Sequence, residues 1–156
     1  MAKCYQLIGV PGAGKSTWIK NQDWAKDCVV VSTDEFVEYY AKQQGKTYNE
    51  VFDDYMPTAV KLMADQVVRA REQGKDIIWD QTSVSVKSRK KKFNMLWAYD
   101  HIAVVFYAPD TEELTRRLNS RPGKSIPDHV IASMLQHFEM PTVEEGFKEV
   151  WIASNT

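Results

Sequence analysis

The sequence predicts an α/β domain: a five-stranded parallel sheet with helices on both faces. Two observations carry this. Short β-branched runs alternate with segments whose apolar residues recur at spacings of three and four, so helices make the crossovers and the strands run parallel. The first strand also leads straight into a glycine-rich turn, GVPGAGKSTW at 9–18, which opens a helix. At 156 residues, 44% hydrophobic and 26% charged, the chain reads as one domain, 1–156, with a globular balance.

CYQLI (4–8) is the first strand, and a helix runs from Lys15 to Trp24. CVVVS (28–32) is a continuous run suited to burial on both faces of the sheet. Thr33-Asp34-Glu35 opens a helix with Phe36, Val37 and Tyr40 as its apolar side, and GKTY (45–48) breaks it. Met56, Ala59, Val60, Met63, Ala64, Val67 and Val68 form a helical stripe that Gly74 stops. DIIWD (76–80) is a strand, 86–99 a helix, and HIAVVFY (101–107) a strand. Asp110 and Glu113 are spaced as a capping pair for TEELTRRLNS, and Pro122-Gly123 ends that helix. Pro127 begins another helix, turning Val130, Ile131, Met134, Leu135 and Phe138 inward, and FKEVWIA (147–153) is the last strand.

Net charge is −1, so any nucleic-acid contact needs a local basic patch rather than the whole molecule. Cys4 and Cys28 sit in apolar runs and read as thiols buried in a reducing cytoplasm. The start of the chain is too short for a signal peptide, and no apolar run spans a bilayer. The expectation is a cytoplasmic protein without a membrane segment or an obligate protein partner.

Gly9, four residues, then Gly14-Lys15-Ser16 is the spacing of a phosphate-wrapping loop, in the strand–turn–helix context it requires. Glycines let backbone N–H groups turn toward an anion, and the helix start adds partial positive charge. Gly12, Ala13, Gly14, Lys15, Ser16 and Thr17 are therefore the expected ATP-binding residues, with Lys15 on the β- and γ-phosphates and Ser16 on Mg²⁺. No Asn-Lys-x-Asp for guanine is present. A kinase also needs a proton acceptor and cations over the moving phosphoryl group. Asp34, just past the second strand, is the candidate base. Asp80, ending the third strand, is the candidate for Mg²⁺ or the acceptor, with Thr82 beside it. Arg117 and Arg121, four apart, are candidate ATP ligands, Arg121 on a hinge-like lid. KSRKKK (87–92), with Arg89, is a candidate phosphate-tracking patch. Tyr48, Phe52 and Tyr55 read as core or groove wall, and the three histidines lack metal-ligand spacing.

With these residues in place, the chain resembles the P-loop kinase domain of polynucleotide 5′-hydroxyl kinases of phage and animal type. GVPGAGKSTW resembles their phosphate loop. IIWDQTS resembles their strand ending Asp-x-Thr-Asn, with Ser83 for the Asn. RRLNSRPGKSIP (116–127) resembles the lid, and FEMPTVEEGFKEVWI (138–152) an animal-type C-terminal signature. The resemblance implies a P-loop kinase fold with a short lid, ATP and Mg²⁺, a nucleic-acid 5′ end as acceptor, Asp34 as general base and Arg121 on the transferring phosphate. One departure stands out: the positions where the family carries an acceptor-gripping arginine hold Thr33 and Val37. A small-molecule kinase of the same fold, or a nucleotide switch, are the alternatives.

Overall fold

The computed structural model describes residues 1–153. Five parallel strands form one sheet in the order β2-β3-β1-β4-β5: β1 (Lys3–Ile8), β2 (Val29–Val31), β3 (Ile77–Asp80), β4 (Asp100–Val105) and β5 (Glu149–Ile152). β1 is central, with Leu7 beside Asp80 of β3 and beside Val104 of β4. The chain therefore leaves β1 in one direction for β2 and β3, and in the other for β4 and β5. Ligands in open parallel sheets bind outside the carboxyl ends of the strands at such a reversal.

Alternate residues of β1 serve the two faces. Tyr5 and Leu7 join Trp18, Ile102, Phe106, Leu114 and Ile131 on one side. There α1 (Lys15–Lys20), α5 (Thr111–Asn119) and α6 (Asp128–Gln136) pack. Cys4 joins Val31, Met63, Val67, Trp79 and Tyr99 on the other, under α3 (Tyr48–Glu72). Helices thus cover both faces, as expected.

Several boundaries differ from the sequence pattern. α1 stops at Lys20, and Asp23–Asp27 is a 3₁₀ turn that folds Trp24 back to within 4.6 Å of the Tyr5 ring. α3 begins eight residues before Met56 and runs through Pro57. A reciprocal cap between Thr47 and Glu50 starts it. Its early turns pack Val51 and Ala59 against Val37 and Ala41 of α2 (Thr33–Gln44), and Tyr55 stacks on Tyr40 at 4.0 Å. That contact stabilises the first half of a helix that carries Pro57 in its interior. α4 (Val86–Met95) ends four residues early. Val60 and Leu135, expected inside, are exposed. Both cysteines are free, Cys4 buried and Cys28 only partly so. No helix among the described residues is long and apolar enough to cross a membrane.

Candidate active site

The phosphate loop lies between β1 and α1. Gly12 and Gly14 adopt φ of 83° and 101°, left-handed values that a side chain disfavours. A Cβ on Gly12 would also sit 3.0 Å from Leu114 of α5. Gly9 N donates to the Thr82 carbonyl at 2.9 Å, tying the loop to the segment after β3. Lys15 folds back over the loop and donates to the carbonyls of Gly9 (2.7 Å) and Val10 (3.1 Å). Burial pushes its ammonium down to about 8, while Asp80 and Asp34 pull the other way.

Gly12, Gly14, Lys15, Ser16, Thr17, Asp34, Asp80, Thr82, Arg117 and Arg121 all line one cavity of about 500 Å³. Ala13 does not: its methyl group is buried in the core under the loop. The expected ATP contact at Ala13 is therefore one for its backbone N–H, not its side chain.

Asp80 closes β3 at the cavity floor. Burial raises its carboxyl above the ordinary range; Lys15 opposes that, and the nearby Asp34 and Glu38 add to it. Asp34 stands in the first turn of α2, yet neither it nor Thr33 caps the helix. Ser32 is the N-cap and makes no side-chain cap bond, while Thr33 Oγ1 accepts from Gln81 at 3.4 Å. Asp34 instead receives the Tyr48 hydroxyl on Oδ1 at 2.6 Å and Lys124 Nζ on Oδ2 at 3.4 Å. Lys124 also donates to Glu38 at 2.7 Å and lies 4.5 Å from the centre of the Tyr48 ring. The Tyr48 hydroxyl is pushed well above its usual range by burial and then by its bond to Asp34.

Two arginines also line the cavity. Arg117 donates to the Gly12 carbonyl (3.0 Å) and to Glu113 (2.9 Å), so α5 braces the phosphate loop. Arg121 differs. Its Nε and Nη2 are buried and find no hydrogen-bond partner among the described residues. Such donors cost about 1–3 kcal/mol each when left unmade. Arg121 lines the same cavity as Lys15 of the phosphate loop.

The lid that bears Arg121 is docked on the start of α3. Asn49 N donates to the Gly123 carbonyl (3.0 Å), and the Asn49 side chain exchanges two bonds with Ser125. Gly123 has φ +68°, and a Cβ there would lie 2.7 Å from Thr47 Cβ. Only glycine allows this approach.

The basic run is the clearest correction. Arg89, expected to bind substrate, is fully buried. Its guanidinium bonds both Glu145 oxygens and the Ser83 carbonyl, so it is walled off from any acceptor. Lys92 is buried too, donating to the Ser88 carbonyl near the Trp79 ring. Only Lys87, Lys90 and Lys91 of the run's cations are exposed, and none lines the cavity. Histidine 101 is structural: buried, it bonds Gln6 and the Leu96 carbonyl.

Sequence reasoning missed Glu38, Lys124 and the bond from Tyr48. Glu38 is one helical turn from Asp34, a spacing legible in the chain. Lys124 lay within the lid segment, but its reach to Asp34, 90 residues away, exists only in three dimensions.

Comparison with known proteins agrees with this geometry. A bifunctional polynucleotide phosphatase/kinase of Schizosaccharomyces pombe is 28% identical over 149 residues, covering 92% of this chain but 31% of that protein. The chain thus spans about a third of that relative's length. A solved Pnkp1/Rnl/Hen1 complex contains a chain 27% identical, with a TM-score of 0.56, 74% of this chain and 38% of that one being covered. A sugar kinase from Janibacter sp. HTCC2649 shares the fold at 17% identity, with a TM-score of 0.61 over 98% of this chain and 85% of that one. The family described as AAA domain matches residues 6–141. With its phosphate loop, five-stranded parallel sheet and arginine-bearing lid, the chain belongs to this AAA-domain family and is a kinase-type P-loop protein.

Proposed function

We propose that the protein transfers the γ-phosphate of ATP to the 5′-hydroxyl of a nucleic acid. The observation that carries the reading is the pairing of two residues that line one cavity. Asp34 is a carboxylate oriented by Tyr48, and Arg121 presents two buried, unpartnered donors. A hydrolytic switch needs no positioned acceptor base. The kinship with a polynucleotide phosphatase/kinase supports the acceptor class.

In this reading Asp34 accepts the proton of the attacking hydroxyl. The Tyr48 hydroxyl holds Oδ1 and leaves Oδ2 as the accepting oxygen. Lys15 exchanges the Gly9 and Val10 carbonyls for phosphate oxygens. Arg121 directs Nε and Nη2 to the equatorial oxygens of the transferring group, where negative charge is spread. Arg117 holds the loop in place. The Ser16 hydroxyl and the Asp80 carboxylate are hard oxygen donors that line one cavity with Asp34, a donor set that suits a cation. These two fit Mg²⁺, which when bound neutralises charge on the phosphates.

A second reading has its own support. Val37 is fully buried and Thr33 is bonded to Gln81, so the first turn of α2, beside Asp34, offers no cation for an acceptor phosphate. Glu35 and Glu38 line the same wall, which suits a neutral polyol. The test is transfer of labelled γ-phosphate to short oligonucleotides with free 5′-hydroxyls, beside nucleosides and sugars. Label on the oligonucleotide, abolished by prior 5′-phosphorylation, supports the first reading. Label on sugars alone establishes the second.

A further inference from the structure

We propose that Lys124, on the lid, is the residue that binds the acceptor phosphate next to the attacked nucleotide, and that binding it frees the base. This rests on the nucleic-acid reading above. Beside Asp34 its own helix supplies no cation: the buried positions 33 and 37 are Thr and Val, and the helix's lysine, Lys42, stands in its last turn. Lys124 reaches the same place from the other side. Its side chain is 15% exposed, and it contacts Asp34, Glu38 and the Tyr48 ring together.

Beyond Lys124 a second cavity, of about 860 Å³, opens between the end of α2 and the lid. It shares Ser16, Glu38, Arg121 and Lys124 with the first cavity, so the two adjoin at these residues. Its walls carry Lys42, Lys46, Arg121 and Lys124 against the single carboxylate of Glu38. A groove of this charge leading away from Asp34 fits a strand whose phosphates follow the attacked nucleoside. The basic run of α4 lines neither cavity.

The ion pair with Asp34 gives this cation a second effect. Without acceptor, Lys124 sits against Asp34 Oδ2, the oxygen that Tyr48 leaves open. A phosphate arriving on Lys124 replaces the two carboxylates as its partner, and Oδ2 becomes available for the hydroxyl proton. A nucleoside without that phosphate leaves the lysine on the base. Discrimination therefore arises in kcat as well as in KM.

The experiment compares kcat/KM for a nucleoside and for the same nucleoside bearing a 3′-phosphate, in the wild type and in Lys124→Met, with ATP affinity measured for both. We expect the wild type to prefer the phosphate-bearing acceptor. Lys124→Met should cut that ratio about tenfold or more, the scale of a charge-assisted hydrogen bond, and Lys124→Arg should retain most of it. A ratio unchanged in Lys124→Met overturns this role and leaves the nucleic-acid reading standing. A wild type that labels neither nucleoside nor oligonucleotide overturns both. Should Lys124→Met fail to bind ATP, the paired variant Lys42→Gln/Lys46→Gln decides. Its acceptor affinity for an oligonucleotide should lose about 1.4 from the log–log salt slope, for two single-strand phosphate contacts. An unchanged slope rules out the groove.

Discussion

Arg89 and Glu145, 56 residues apart in the chain, form a buried two-pronged bridge, Nε to Oε2 at 2.7 Å and Nη2 to Oε1 at 3.0 Å. The third donor, Nη1, holds the Ser83 carbonyl at 2.8 Å. Ser83 has φ +47°, and its neighbour Thr82 accepts from Gly9 of the phosphate loop. The C-terminal segment thereby reaches the active-site edge through one arginine. Glu139 adds to the strap, its N–H donating to the Val84 carbonyl and its carboxylate accepting from Val86.

Removing one member of the bridge leaves the other charge buried and unpaired. Arg89→Met or Glu145→Gln should each destabilise the fold by about 3–5 kcal/mol. The double variant Arg89→Met/Glu145→Leu should recover part of that loss. Chemical denaturation measures all three, and single variants within 1 kcal/mol of wild type, on the scale of an exposed pair, would show the bridge to be dispensable.

Asp34→Asn should lower kcat on the order of 10²–10⁴-fold, the range for a lost general base, with ATP affinity retained. Single-turnover transfer with saturating ATP checks it. Tyr48→Phe keeps the base but frees Oδ1 to rotate, and a kcat loss of about tenfold is expected for a bond to a charged acceptor. Wild-type turnover in Asp34→Asn would remove the base from the proposal.

Arg121→Met separates function from stability. Loss of transition-state donors should cost about 10²–10³ in kcat. The unliganded protein, relieved of two buried unsatisfied donors, should be as stable as wild type or more so. A melting temperature several degrees lower would mean that Arg121 has a structural partner after all.

Lys15 gives a pH-dependent prediction. Burial lowers its pKa from the ordinary 10.5 to about 8, so between those values the unfolded chain binds more protons than the folded one. Stability without nucleotide should therefore rise with pH across that window, the penalty being complete below about 8. Lys15→Met should abolish ATP binding yet raise the melting temperature at pH 7 by about 2–4 °C, for roughly 1 kcal/mol in a chain of this size. Calorimetry at pH 7 and pH 10, with and without the substitution, reads both effects: the gain should shrink at the higher pH.

Gly123→Ala places a methyl group within contact of Thr47 at a left-handed backbone position. The lid should lose its bonds to Asn49, and amide exchange at Asn49 and Ser125 should accelerate. Protection unchanged at these amides would show that the lid tolerates the clash.

Much of the fold was legible in the chain because its signals are local. The β-branched run at 28–32, the Gly9-to-Ser16 spacing and the alternation of element types each follow from the period of a strand, a turn or a helix. Periodicity also placed Asp80 at the end of a strand and Asp34 and Thr82 just past one. What the sequence left open was a boundary and its partner: Tyr48, Phe52 and Tyr55 already stand at helical spacing, but that Val51 and Tyr55 pack on α2 is not encoded by spacing.

By itself, then, the chain determined a phosphate loop, a parallel sheet and the carboxylates at its edge, since backbone geometry and residue spacing are sufficient for each. Only tertiary structure decided which charges meet. It turned Arg89 inward onto Glu145, brought Lys124 across 90 residues to Asp34, and left two buried Arg121 donors without a partner among the described residues. The desolvation of a charge depends on every element packed around it, and no run of neighbouring residues encodes that.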